Sequence, residues 1–93
     1  MNEALRARYD RASDVLYIST LRYGPAYRPS YGEEDAPGLI WEYRDDDATL
    51  VGVTVMDYSA YWCARRAELL AQMVSHFHVS EANARQALDV AAG

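Results

Sequence analysis

The sequence predicts an α+β domain, with a four-stranded antiparallel sheet followed by two C-terminal helices. Up to residue 58, short stretches rich in β-branched and aromatic residues alternate with turn-forming Asp, Gly and Pro. From residue 59 onward the apolar residues recur every three or four positions, which is the period of an amphipathic helix. A length of 93 residues is suited to one domain with one core. We therefore treat 1–93 as a single domain, with a β-sheet core over 6–58 and a helical hairpin over 59–93.

The first two strands flank a polar turn. In "RYDRASDVLYIST" the turn lies between Tyr9 and Asp14, and the β-branched and aromatic stretch 15–20 forms the second strand. The next segment contains all three prolines of the chain. Because proline cannot donate a backbone hydrogen bond, we expect a long loop over 21–37.

The third and fourth strands are "GLIWEYR" and "ATLVGVTVMDY". Between them stand three consecutive aspartates, 45–47, which suit a tight turn. A calcium loop would need further oxygen ligands at fixed spacing and a glycine, so we expect no metal here. Gly52 inside the fourth strand indicates a β-bulge or a close approach of another backbone.

The C-terminal segment contains two helices. One apolar stripe runs along the first helix. Ser80 is a favourable N-cap for the second helix, and the helical period places Ala84, Ala87 and Leu88 on its inward face. The residues of the first stripe are Trp62, Leu69, Met73 and Phe77.

Two separated motifs, "RYDRASDVLYIST" and "GLIWEYRDDDATLVGVTVMDYS", resemble the DUF2283 family of uncharacterised small β domains. The resemblance covers roughly residues 6–58. It implies a small antiparallel sheet without a named activity, and it makes an antitoxin-like role one expectation. This chain differs in its longer, tyrosine-rich middle loop and in its helical C-terminal segment. The matching residues are Tyr9, Asp10, Asp14, Val15, Leu16, Tyr17, Ile18, the aspartates 45–47, Leu50, Val51, Gly52, Val53 and Asp57.

The composition argues against several functional classes. A net charge of −5 disfavours nucleic acid and anionic membranes as partners. No apolar stretch approaches the ~20 residues of a membrane span, and the single cysteine excludes an internal disulfide, so a cytoplasmic location is expected. No catalytic motif, paired cysteines or phosphate-binding glycine loop is present. We therefore predict that the protein is not an enzyme and needs no cofactor.

Two groups of residues remain as candidate binding sites. Tyr23, Tyr27, Tyr31 and Trp41 form a possible partner-binding set, and the alternative is that the tyrosines pack back over the sheet. Separately, residues 73–88 resemble a helix-turn-helix, in which a possible nucleic-acid contact would be made by Ser80, Asn83 and Arg85. A plain helical hairpin is the alternative to that second hypothesis.

The surplus of apolar residues in the strands predicts a homodimer. We expect the helices to cover the sheet face that carries Leu39, Trp41, Val51, Val53 and Val55. A second copy would then cover the face that carries Leu16, Ile18, Leu50 and Met56.

The leading functional hypothesis is a non-catalytic protein-interaction or regulatory protein, antitoxin-like in character. One alternative is a small-ligand-binding or enzyme-accessory protein whose tyrosine-rich loop acts as a lid. A second alternative is a DNA-binding regulator that uses the C-terminal helices.

Overall fold

The computed structural model describes residues 5–20, 30–45 and 48–92. These residues form one antiparallel sheet in the order β1-β2-β5-β4-β3, followed by two helices, so the α+β class is confirmed. The strands are β1 (Leu5–Asp10), β2 (Val15–Thr20), β3 (Ser30–Ala36), β4 (Leu39–Arg44) and β5 (Leu50–Met56). A short 3₁₀ segment (Trp62–Arg65) leads into α1 (Arg66–Phe77), and α2 (Glu81–Ala92) follows.

The expectation of four strands and of a loop over 21–37 is wrong, because β3 occupies Ser30–Ala36. This segment pairs with β4 in a hairpin closed by Gly38, whose φ of +81° suits glycine. Pro37 follows the strand directly and belongs to the turn. The residues of β3 have a low intrinsic preference for strands. The segment is nevertheless extended at the edge of the sheet, because pairing with β4 satisfies its backbone hydrogen bonds.

The register of β2 against β5 places the core on a single face of the sheet. Leu16 is paired with Val55, and Ile18 with Val53, and directly paired residues share a face. All four side chains are at most 2% exposed. The prediction that Leu16 and Ile18 lie on a second apolar face is therefore wrong.

An irregularity in the pairing of β4 with β5 changes which residues of β5 face the core. Glu42 is paired with Gly52 but Tyr43 with Leu50, so Val51 is the additional residue of a β-bulge. Leu50 consequently packs against the core, whereas Val51 lies outside the core cluster. The predicted core position of Val51 and the predicted second-face position of Leu50 are therefore both wrong. The bulge lies next to Gly52, where the sequence predicts a bulge or a close approach of another backbone.

The helices cover the core face. Trp62, Leu69 and Met73 are at most 1% exposed, and Ala84, Ala87 and Leu88 of α2 are at most 2% exposed, as the stripes predict. The helix α2 packs on β1, and α1 contacts α2. Within residues 5–20, 30–45 and 48–92, no helix has the length and apolar composition needed to cross a membrane.

Candidate functional site

The structure describes two residues of the predicted partner-binding set, Tyr31 and Trp41. Tyr23 and Tyr27 lie outside the described residues. Tyr31, on the edge strand β3, is 39% exposed and stacks on Tyr43 with 5.6 Å between ring centroids. Trp41 is 1% exposed, so its prediction as a partner-contact residue is corrected.

Trp41 is buried because α1 places two aromatic rings against it. The imidazole of His76 stacks on the indole at 3.8 Å between centroids, and Phe77 meets it edge-on at 5.7 Å. His76 Nδ1 also lies 2.9 Å from the backbone oxygen of Gln72. Trp41 and His76 therefore fasten α1 to the sheet.

The residues of the helix-turn-helix hypothesis have structural partners. Ser80 Oγ accepts a hydrogen bond of 3.1 Å from the Asn83 backbone N–H, which is N-capping of α2. Arg85 forms an ion pair with Glu81 one turn away, and Asp89 binds Arg66 of α1 at 2.5 Å. This arrangement leaves no concentration of positive charge along the described part of α2, so it does not favour phosphate binding.

The acidic turn closes the β4–β5 hairpin. The Arg44 backbone N–H donates to Thr49 O and the Ala48 N–H donates to Arg44 O, each at 2.9 Å. Asp45 is an exposed turn residue, whereas positions 46 and 47 lie outside the described residues. Among the residues the structure describes, no group of three or more His, Cys, Asp or Glu side chains could hold a metal ion.

A polar cluster joins the two predicted family motifs at one end of the sheet. Asp14 Oδ1 accepts hydrogen bonds from the Tyr9 hydroxyl at 2.6 Å and from the Ser59 N–H at 2.9 Å. Its other oxygen, Oδ2, accepts from the Ala60 N–H at 3.2 Å, and its backbone oxygen accepts from the Tyr58 N–H at 3.1 Å. Asp14 thus ties the β1–β2 turn to the segment that follows β5.

The electrostatics of this cluster keep its two titratable groups in their ordinary charge states. The Tyr9 hydroxyl, together with the Ser59 amide, lowers the pKa of Asp14 from 3.8 to about 2. The hydrogen bond to Asp14 in turn raises the pKa of Tyr9. Near neutral pH the carboxylate therefore stays ionised and is a weak base, while the phenol stays protonated. Neither group is tuned for proton transfer at that pH.

Cys63 lies beside this cluster. Its side chain is exposed, and its backbone N–H donates a 2.8 Å hydrogen bond to the backbone oxygen of Tyr58. Burial of Tyr58, and then the nearby Cys63, raise the pKa of this tyrosine. Tyr58 in turn meets the ring of Tyr9 edge-on at 5.7 Å. The thiol therefore borders a packed aromatic pair and has no carboxylate or histidine base among the contacts described.

The face of the sheet opposite the helices is the larger candidate site, and we call it the open face. Its central row crosses all five strands, because the register pairs Arg8 with Tyr17, Tyr17 with Thr54, Thr54 with Ile40 and Ile40 with Glu34. A second row runs parallel to it. The residues of the second row are Arg6, Ser19, Gly52, Glu42 and Gly32, and beyond the central row Val15 is paired with Met56.

The open face exposes apolar groups at its centre. Tyr17 is 36% exposed and Met56 is 42% exposed, while Ile40 and Thr54 are half-buried. The Arg8 guanidinium lies 4.6 Å from the centroid of the Tyr17 ring, so a cation–π contact orients both side chains. Large side chains held at the surface are suited to a protein partner.

Opposite charges stand at the two sides of the open face. Arg6 and Arg8 lie on β1, whereas Glu34 on β3 and Glu42 on β4 lie on the other side. Glu34 Oε2 accepts from the Gly38 N–H at 2.9 Å, which fixes the carboxylate near the β3–β4 turn. Glu42 lies 3.4 Å from Thr54 Oγ1.

Two further charged residues of the open face, Asp10 at the end of β1 and Arg44 at the end of β4, already have interactions. Asp10 accepts a hydrogen bond of 3.1 Å from the Ala12 N–H, and Arg44 also has a partner.

The sequence prediction missed the open face because the alternation within single strands does not show which strands are neighbours in the sheet. The residue types of β2 and β5 carried the only signal, since Tyr17, Ser19, Thr54 and Gly52 interrupt the apolar positions.

No protein-family model, curated protein or solved structure matches this chain. The resemblance to the DUF2283 family therefore stays a prediction.

Proposed function

We propose that this chain is a non-catalytic protein-interaction or regulatory protein that docks through the open face. The observation that carries the proposal is the one-sided covering of the sheet. Both helices pack on the core face, and the opposite face keeps Tyr17 and Met56 exposed between charged sides. A sheet face with exposed aromatic and methionine side chains favours association over catalysis.

The proposal includes the homodimer that the sequence predicts, although on a different set of residues. Leu16, Ile18 and Leu50 belong to the core, so a second copy would use the open face instead. An antitoxin-like role is compatible with such a surface, because it would mask a partner without chemistry of its own. A reducing, cytoplasmic setting is also part of the proposal, since the single, exposed Cys63 cannot form an internal disulfide.

Site-specific photocrosslinking in the native host tests the proposal. A benzophenone amino acid replaces Tyr17 on the open face, and in a matched variant it replaces Tyr61 in the turn before α1. The two side chains are similarly exposed, at 36% and 38%, so their reach into solvent is comparable. We expect a discrete adduct from position 17 and none from position 61.

The mass of the adduct reports the kind of partner. A species of twice the chain mass indicates a second copy, and any other mass indicates a different protein. Equal yields from positions 17 and 61, or no adduct from either, would show that the open face is not an interaction surface.

A further inference from the structure

We propose that the open face is its own complement, and that two copies pack face to face about a twofold axis parallel to the central strand β5. This inference rests on the proposed function, since both use the open face. It goes further by specifying the symmetry axis of the dimer and the register of the contact.

The strand order defines what a twofold axis along β5 brings together. With the order β1-β2-β5-β4-β3, rotation about the middle strand places the partner's β1 over β3 and the partner's β2 over β4. The central strand β5 then faces its own copy. A twofold axis perpendicular to the strands would instead place β1 over the partner's β1 and bring like charges together, which is unfavourable.

Charge complementarity selects the first arrangement. Arg8 and Glu34 stand at opposite ends of the same row of the sheet. Rotation about β5 therefore sets Glu34 against the partner's Arg8, and by symmetry the dimer contains this contact twice. One oxygen of Glu34 is used by Gly38 N–H, and its other oxygen has no partner within the described part of the chain.

The apolar centre matches under the same rotation. Ile40 lies one strand from the axis on one side and Tyr17 lies one strand from it on the other side, in the same row. Ile40 therefore meets the partner's Tyr17. Met56 and Thr54 lie on β5 itself, so each meets its own copy near the axis. The second copy thus covers the partly exposed apolar side chains of this row, and both charged residues of the row face a residue of opposite charge.

The second row provides space for close approach. Gly32 and Gly52 flank Glu42 in this row, so no side chain stands next to this carboxylate within the row. The rotation sets Glu42 opposite the partner's Ser19, whose neighbour in the same row is the partner's Arg6. The hydroxyl of the partner's Ser19 and the guanidinium of the partner's Arg6 are thus placed on the side of the Glu42 carboxylate, to which both can donate hydrogen bonds.

The size of the open face predicts a weak dimer. Five strands spaced about 4.8 Å apart and about six residues long enclose roughly 480 Å² of flat area per chain. A standard stable interface buries about 800 Å² per partner. We therefore expect dissociation in the micromolar range and a dependence on salt, because the charged contacts lie at the rim.

Sedimentation velocity on the purified chain, from about 1 µM to about 300 µM, measures this equilibrium. We expect a reversible passage from monomer to dimer that weakens as salt increases. A monomer at all of these concentrations would overturn the inference. A continuing series of larger species would also overturn it, because that result indicates pairing of the free strand edges rather than a closed dimer.

A charge-reversal experiment tests the register. Arg8→Glu alone and Glu34→Arg alone each turn two attractive contacts into two repulsive ones, so each should weaken the dimer at least about tenfold. An equimolar mixture of the two variants restores both contacts in the mixed dimer. We expect its affinity to return to within about threefold of the unmodified chain.

Arg11→Glu is the matched control, because Arg11 is exposed in the β1–β2 turn, outside the open face, and the change in net charge is the same. We expect it to alter the affinity by less than about threefold. Circular dichroism on the monomer checks that each variant folds. A mixture that binds no more tightly than the single variants would overturn the register.

The outcomes separate this inference from the proposed function. A purified chain that stays monomeric, together with an open-face adduct of another mass in the host, would refute the dimer and support the interaction role. A monomer without any open-face adduct would refute both.

Discussion

Alanine in place of Gly52 should destabilise the fold by pushing two strands apart. A Cβ atom at position 52 would lie 2.7 Å from the backbone oxygen of Ile18 and 3.6 Å from Cα of Ser19. Ordinary contact begins at 3.4 Å, so the first distance is about 0.7 Å too short. Because the obstructing atom belongs to the backbone of β2, relief requires movement of a whole strand.

The cost follows from two opposing terms. Overpacking against a fixed neighbour typically costs about 1–3 kcal/mol. Replacing glycine by alanine also restricts the unfolded chain, which returns about 0.4–1 kcal/mol. We therefore expect the free energy of unfolding of Gly52→Ala to fall by about 1–2 kcal/mol. For a domain of this size the melting temperature should fall by about 4–8 °C for each kcal/mol.

Gly32→Ala is the matched control, because the new Cβ atom would lie at almost the same short distance from a side chain. The neighbour is Cγ2 of Ile40, at 2.8 Å. Ile40 is half-buried on the open face, and a change of its χ1 rotamer moves this methyl group away. We expect Gly32→Ala to change the free energy of unfolding by less than about 1 kcal/mol, since the entropy gain offsets the rotamer cost.

Urea denaturation of the two variants, followed by circular dichroism at a concentration where the chain is monomeric, makes the comparison. We expect a clearly lower midpoint for Gly52→Ala than for Gly32→Ala, with similar slopes. Equal midpoints would refute the close approach of β5 to β2 at Gly52.

Four further changes test other parts of the structure. Leu16→Ala should lower the free energy of unfolding by about 2–5 kcal/mol because the side chain is fully buried, whereas Met56→Glu should change it by less than about 1 kcal/mol; urea titrations measure both. His78→Gly should raise the melting temperature, since His78 ends α1 at φ 57° and the left-handed conformation costs a non-glycine residue about 1 kcal/mol. Asp14→Asn should lower stability at neutral pH. Because folding lowers the pKa of Asp14 from 3.8 to about 2, its contribution is present above pH 3.8 and is lost as pH falls towards 2, so the midpoints of this variant and the unmodified chain should converge in that range.

The local sequence determines much of the fold. The β-branched stretch 15–20 predicts β2 with the bounds that the structure shows, and the apolar stripe predicts the buried face of α1. Ser80 predicts the N-cap of α2 because its hydroxyl acts on an amide three residues away. These features depend on neighbours along the chain, so periodicity and residue chemistry are enough to find them.

The edge strand β3 is different, because its own sequence disfavours a strand. Gly32 and three acidic residues would remain irregular alone, and the pairing with β4 supplies the missing hydrogen bonds. The candidate site residues show the same contrast between local sequence and tertiary contacts. Tyr31 stays at the surface as its type suggests, whereas Trp41 lies on the core face, where α1 packs His76 and Phe77 against it.

Only the tertiary structure decides which face of each strand meets the helices. Alternation within β2 separates Leu16 and Ile18 from Tyr17, but it does not say which set shares a face with Val53 and Val55. The register between β2 and β5 settles that question, and the bulge at Val51 then turns Leu50 inward. Register is a relation between residues about 40 positions apart, and a shift of one residue exchanges the two faces of a strand. The open face, and the interaction role proposed for it, therefore depend on strand pairing, which the sequence of a single strand does not encode.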